Sequence, residues 1–86
     1  MPDDTEAFRR ARVSELAAQQ TDNRAELEAR HGQVWSTAEL TEEFTVTGYM
    51  APYVIVRRRK DDALGSLEFQ HSPRYYFNFQ EDRPIR

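Results

Sequence analysis

Cysteine is absent from this 86-residue chain, which excludes disulfide staples and thiolate metal ligation and gives no support to an oxidising compartment. The three glycines, Gly32, Gly48 and Gly65, are too scattered for a phosphate-cradling loop or a dinucleotide fingerprint. The two histidines, His31 and His71, show no HExxH or comparable spacing, so neither a metal site nor a cofactor is expected. Long apolar runs are missing as well. The longest aliphatic stretch is Val54-Ile55-Val56, far short of a membrane span, and the acidic start Met1 to Glu6 leads into no apolar region of a secretory signal. A cytoplasmic protein is the expectation. Lysine is nearly missing too: Lys60 is the one lysine among twelve basic residues.

What is present fits one small domain near the size at which a single core gives marginal stability, where a protein partner or a homodimer would help. Charge is uneven. Residues 1–43 carry a net −5 and residues 44–86 a net +2, which together give the net −3 of the chain.

Residues 1–20 read as a polar helix or partly ordered arm, with Asp3 and Glu6 as capping candidates and Phe8, Val13 and Leu16 as a thin apolar stripe. The remainder, 21–86, reads as a single α+β unit. Asn23 and Glu26 have capping-box spacing for a helix over about 23–31, and Gly32 supplies its left-handed end. His31, in the last turn of that helix, is read as a side chain favourable to the helix C-terminus. Ser36-Thr37-Ala38-Glu39 is a full capping box for a helix over about 37–43, with Trp35 and Leu40 placed as a hydrophobic staple.

Strands are expected over about 53–60, 65–70 and 74–79, with 45–49 as a candidate fourth. A four-residue turn Asp61–Leu64 would set Val56 opposite Phe69, and a three-residue turn His71–Pro73 would set Phe69 opposite Tyr75 and Gly65 opposite Phe79. Both hairpins then put Val54, Val56, Leu67, Phe69, Tyr75, Phe77 and Phe79 on one face. Phe79 across Gly65 covers backbone that a strand glycine leaves open. The expected fold class is therefore α+β, with N-terminal helices packed on one face of a three- to four-stranded antiparallel β-meander, Leu40, Phe44, Trp35 and Leu27 serving as its cover.

The opposite face holds the candidate binding residues: Tyr53, Ile55, Arg57, Arg59, Arg74 and Tyr76. Tyrosine and arginine are enriched at interface hot spots, so this face suits a protein partner. No catalytic motif accompanies it; Ser72 adjoins His71, but no GxSxG elbow is present. The functional expectation is a non-enzymatic protein-interaction module.

Nucleic-acid binding is the alternative, from Arg57-Arg58-Arg59-Lys60 beside a sheet rich in aromatics. Strand alternation splits that run between two faces, and the chain is net acidic. Residues Val34 to Val46, with Trp35-Ser36-Thr37-Ala38-Glu39-Leu40 at their head, resemble the first helix and turn of winged helix-turn-helix regulators, the later hairpin standing in the place of a wing. The resemblance covers thirteen residues. It implies a recognition helix next, where Gly48, Pro52 and the β-branched run Val54–Val56 stand instead. Without such a helix the major groove has no reader.

Overall fold

The computed structural model describes residues 4–82. The proposed cap at Asp3 lies outside the described residues. In order along the chain come α1 (Asp4–Ala18), α2 (Arg24–His31), β1 (Val34–Ser36), α3 (Thr37–Glu43), β2 (Phe44–Met50), β3 (Tyr53–Arg58), β4 (Leu64–Gln70) and β5 (Tyr75–Glu81). Among the described residues no helix is long and apolar enough to cross a membrane. The class is α+β, and the sheet is antiparallel with five strands rather than three or four, in the order β1-β5-β4-β3-β2. The additional strand is β1, which pairs with β5 through Val34↔Phe77, Trp35↔Tyr76 and Ser36↔Tyr75. Three residues that read as the approach to a helix cap are thus also a short strand, because β5 leaves an edge that Val34–Ser36 can fill.

Both helix starts form, the first as a one-way cap, since the Asn23 N–H donates to Thr21 Oγ1 and not to Glu26, and the second as a full capping box. Asn23 accepts from the Glu26 N–H at 3.1 Å, and Gly32 closes α2 at φ +83° with its N–H donating to the Glu28 carbonyl. At α3 the box is reciprocal: Ser36 Oγ accepts from the Glu39 N–H at 3.2 Å, and the Ser36 N–H donates to Glu39 Oε1 at 3.0 Å.

The two hairpins depart from the expected register in instructively different ways. Between β3 and β4 the pairs are Val54↔Leu67 and Val56↔Gly65, not Val56 with Phe69. The turn falls two residues earlier, at 59–62. The Arg58 N–H donates to the Ala63 carbonyl, Asp62 adopts φ +58°, and the Asp61 carboxylate receives the Ala63 N–H. An even shift leaves every side chain on its expected face. Between β4 and β5 the loop has four residues instead of three, which pairs Gln70↔Tyr75 and Phe69↔Tyr76. This slip is odd, so Tyr75 and Phe77 go to the opposite face and Tyr76 comes into the core. A bulge then interrupts β5 at Asn78, φ +56°, and restores Phe79 to its expected side. Gly65 pairs with Glu81 rather than with Phe79 as expected, but the Phe79 ring still reaches over it: a Cβ there would stand 2.6 Å from the ring and from the Gln80 carbonyl oxygen.

Alternation along the strands produces two cores. On the first face Val54, Val56, Leu67, Phe69 and Tyr76 pack with Trp35, Leu40 and Phe44. Trp35 on one edge strand and Phe44 on the other have ring centroids 5.6 Å apart, whereas a flat sheet would separate those edges by about 19 Å. The sheet therefore curls around this core, with α3 closing it. On the second face Val34 and Phe77 receive Leu16 from α1 and Leu27 from α2. The N-terminal helices share one face, while α3, with Leu40, covers the other. Leu27, expected among the cover of the first core, belongs to the second.

Candidate functional site

The second face is only partly covered by α1 and α2. Beyond them it opens into a cleft of about 640 Å³, lined among others by Arg12, His31, Tyr53, Ser66, Glu68 and Asn78. Three elements converge there. Arg12 comes from α1 and His31 from the end of α2, while Tyr53, Ser66 and Glu68 share a sheet face because Tyr53 pairs with Glu68 and Ile55 with Ser66. Asn78 sits at the bulge, in a left-handed conformation that asparagine tolerates better than most residues.

Glu68 is the hub. It is 8% exposed, and its carboxylate accepts from Arg12 Nε at 2.6 Å, from Arg12 Nη2 at 2.8 Å and from Asn78 Nδ2 at 2.8 Å. Burial pushes the Glu68 carboxyl up, but the bonds from Arg12 and Asn78 outweigh it and hold the group below its ordinary value. An ionised carboxylate only accepts, which fixes the Asn78 amide with its nitrogen towards Glu68. That same nitrogen is 3.3 Å from His31 Nδ1, so Nδ1 must be the unprotonated acceptor and the ring proton sits on Nε2. The imidazole stacks on Phe77 with centroids 4.2 Å apart and planes within 5°. Burial lowers the His31 pKa, and the charges of Arg12 and Arg30 add to this against Glu68. His31 is therefore a neutral donor of fixed tautomer at pH 7, a more specific role than the helix-terminus partner its position suggests.

Of the sequence-predicted residues, Tyr53, Ile55 and Arg57 do share this face; Tyr53 lines the cleft, Ile55 is half-buried and Arg57 is exposed. The others do not join them. Tyr76 is 2% exposed in the first core, a correction that follows directly from the odd slip of β5. Arg59 lies past the end of β3, its Nε donating to the Thr41 carbonyl at 3.0 Å. Arg74 belongs to the β4–β5 turn, its guanidinium 4.6 Å over the ring of Phe69.

Sequence reading missed Arg12, His31, Glu68 and Asn78 as a group. Arg12 and Glu68 are 56 positions apart, and no local pattern announces such a pair. Comparisons with protein-family models, with curated proteins and with solved structures found no significant match for this chain.

The network also has a mechanical consequence. Beside it, Gln70 is 3% exposed and fully engaged: its Nε2 donates to the Thr21 and Pro73 carbonyls at 2.7 and 2.9 Å, and its Oε1 accepts from the Thr21 N–H. Gln20 Oε1 accepts from the His71 and Ser72 N–H groups. The α1–α2 linker is thereby fastened to the β4–β5 turn by polar contacts rather than by apolar burial. Among the described residues no three His, Cys, Asp or Glu side chains converge as a metal site.

Proposed function

We propose that the chain is a non-enzymatic protein-interaction module whose second-face cleft receives an uncharged, hydrogen-bonding segment of a partner protein. The observation that carries this reading is the internal cancellation of charge. Among the described residues Arg12 and Glu68 are the only charged ones lining the cleft, and they are paired bidentately with each other. A charged ligand would have to compete with that pair, whereas a main-chain amide or an Asn, Gln, Ser or Thr side chain meets donors and acceptors: His31 Nε2–H, Tyr53, Ser66 and, at the rim, Gln33 and Gln80. A buried ion pair contributes little to net stability, so such an array in so small a domain favours a recognition role.

Nucleic acid is the less favoured partner. Arg58 is engaged by Asp61 at 2.8 Å and Glu81 at 2.7 Å, and Arg59 by the Thr41 carbonyl, so half of the four-residue basic run has intramolecular partners. The test is photo-crosslinking in native lysate, with the crosslinker placed at Gln33 or Gln80 and, as control, at Lys60. The expected result is a nuclease-resistant protein adduct from the two cleft positions alone. Adducts no stronger than those from Lys60, or adducts that vanish with nuclease, would overturn the proposal.

A further inference from the structure

Among the described side chains of α1 only Leu16 is buried, and one stripe of the helix shows how its grip on the sheet fades. Leu16, Arg12 and Phe8 follow one another at one-turn intervals on the same face. Leu16 is 5% exposed, the Arg12 side chain 27% and Phe8 75%. Among the described residues, the side-chain hydrogen bonds that tie α1 to the rest of the chain are those from Arg12 to Glu68.

That pair is built to part. Arg12 Nη1 also lies 3.5 Å from Glu15, on its own helix, and Glu68 also accepts from Asn78, on its own sheet. When α1 moves away each charge keeps a partner on its own side and gains water, so no charge is left stranded in the interior. The residues that follow α1 are fixed to the body of the domain. The Gln19 carbonyl accepts from Arg30 Nη1 at 2.7 Å, Gln20 Oε1 accepts from the His71 and Ser72 N–H groups, and both main-chain groups of Thr21 are bonded to Gln70. α2 has fastenings of its own: Arg24 Nη2 donates to the Val34 carbonyl and to Glu39, and His31 stacks on Phe77.

We propose that α1 is a strap that leaves the second face as a unit, pivoting just ahead of the fixed residues 19–21, with Arg12 and Glu68 as its latch. Segments held by few apolar contacts open well below the free energy of global unfolding. Arg12 lines the cleft, so the swing opens the cleft on that side. That the opening admits a partner segment rests on the reading of the cleft given above; the swing itself does not.

The test is amide hydrogen exchange of the full chain at pH 7, followed by nuclear magnetic resonance along a denaturant series. A detached helix of fifteen residues is marginal alone, so each departure of α1 exposes its amides. The α1 amides are expected to exchange as one set, roughly a hundredfold less protected than those of β3 and β4 and with a smaller denaturant slope. Glu68→Gln, which leaves Arg12 without its carboxylate, should speed that set by about tenfold. Arg24→Gln should leave it unchanged, because the Arg24 contacts persist while α1 is away. Four results would each overturn the proposal: α1 exchange with the protection and slope of β3 and β4; protection climbing residue by residue to the sheet value at Leu16, which is fraying; no response to Glu68→Gln; or an equal response to Arg24→Gln, which means that both helices leave together. Cleft crosslinks with a static α1 remove the strap alone; an opening α1 without cleft crosslinks removes the cleft reading alone.

Discussion

The two faces of the sheet are built on different principles. The first buries eight apolar side chains around Val54, Val56 and Leu67 with no buried charge among them, and the curl of the sheet brings Trp35, Phe44 and Phe79 into ring contact. The second buries four apolar side chains, and alongside them the polar groups of Glu68 and Gln70. Of the two helices on the second face, α1 contributes one buried apolar residue, Leu16, while Phe8 remains 75% exposed. Apolar burial is thus concentrated on one side of the sheet and the buried polar network on the other.

The sharpest way to break this comparison is to truncate one anchor on each face. Phe44→Ala removes a fully buried ring at the meeting point of the sheet edges and should lower global stability by about 3–5 kcal/mol. Leu16→Ala should cost about 2 kcal/mol, the low end for a buried leucine, and should show itself as faster amide exchange in α1 with β3 and β4 still protected. Equal denaturation midpoints for the two variants would mean that the faces are energetically alike and the distinction false.

A second test addresses the polar network. Arg12→Met leaves the Glu68 carboxylate buried without its main partner and should destabilise by about 3 kcal/mol, towards the low end for a broken buried pair because the Arg12 side chain is 27% exposed. Arg12→Met combined with Glu68→Leu should recover most of that loss. Such recovery, read from denaturation midpoints, would place the network's purpose outside stability; a double variant as weak as the single one would make the network a structural element.

The same contrast separates what was legible in the sequence from what was not. The helix starts at Asn23 and Ser36 are local, four-residue signals, and both form. The first core was mostly legible because an error of two residues in the β3–β4 turn conserves strand parity, so Val54, Val56, Leu67 and Phe69 keep their face. The second face was not. One extra residue in the β4–β5 loop reverses Tyr75, Tyr76 and Phe77, and only the left-handed Asn78 corrects the phase, a conformation that no pattern of apolar residues reveals. The cleft depends on that reversal: without it Tyr76, not Phe77, would lie under His31.

Gly65 offers a smaller perturbation of the first face. A methyl group there meets both the Gln80 carbonyl oxygen and the Phe79 ring at 2.6 Å. Gly65→Ala should cost about 1–3 kcal/mol, since Phe79 can move only by disturbing its packing on Phe44, 5.2 Å away between centroids. Gly48→Ala meets nothing within 4 Å and is the matched control. Equal stabilities of the two variants would remove the Phe79 cover from this account.

The smallest expected effect is the dependence of stability on pH between 7 and 5.5, and it tests the second face alone. The His31 pKa in the folded chain lies below its ordinary value, so between the two values the unfolded chain binds the extra proton. Stability from this group is complete above about pH 6.5, the ordinary histidine value, and falls as the pH drops through that range. The Glu68 carboxyl, also lowered, keeps its contribution until the pH falls below the ordinary carboxylate range, so the two losses are separated in pH. Protonating His31 would place an Nδ1–H against the Asn78 amide nitrogen, a donor facing a donor, which links the titration to the geometry at Glu68. Chemical denaturation at pH 7 and 5.5 should show a loss for the natural chain that His31→Gln abolishes. A loss of the same size in His31→Gln would show that the imidazole is not held neutral by this network, and the fixed Nε2–H donor would leave the description of the cleft.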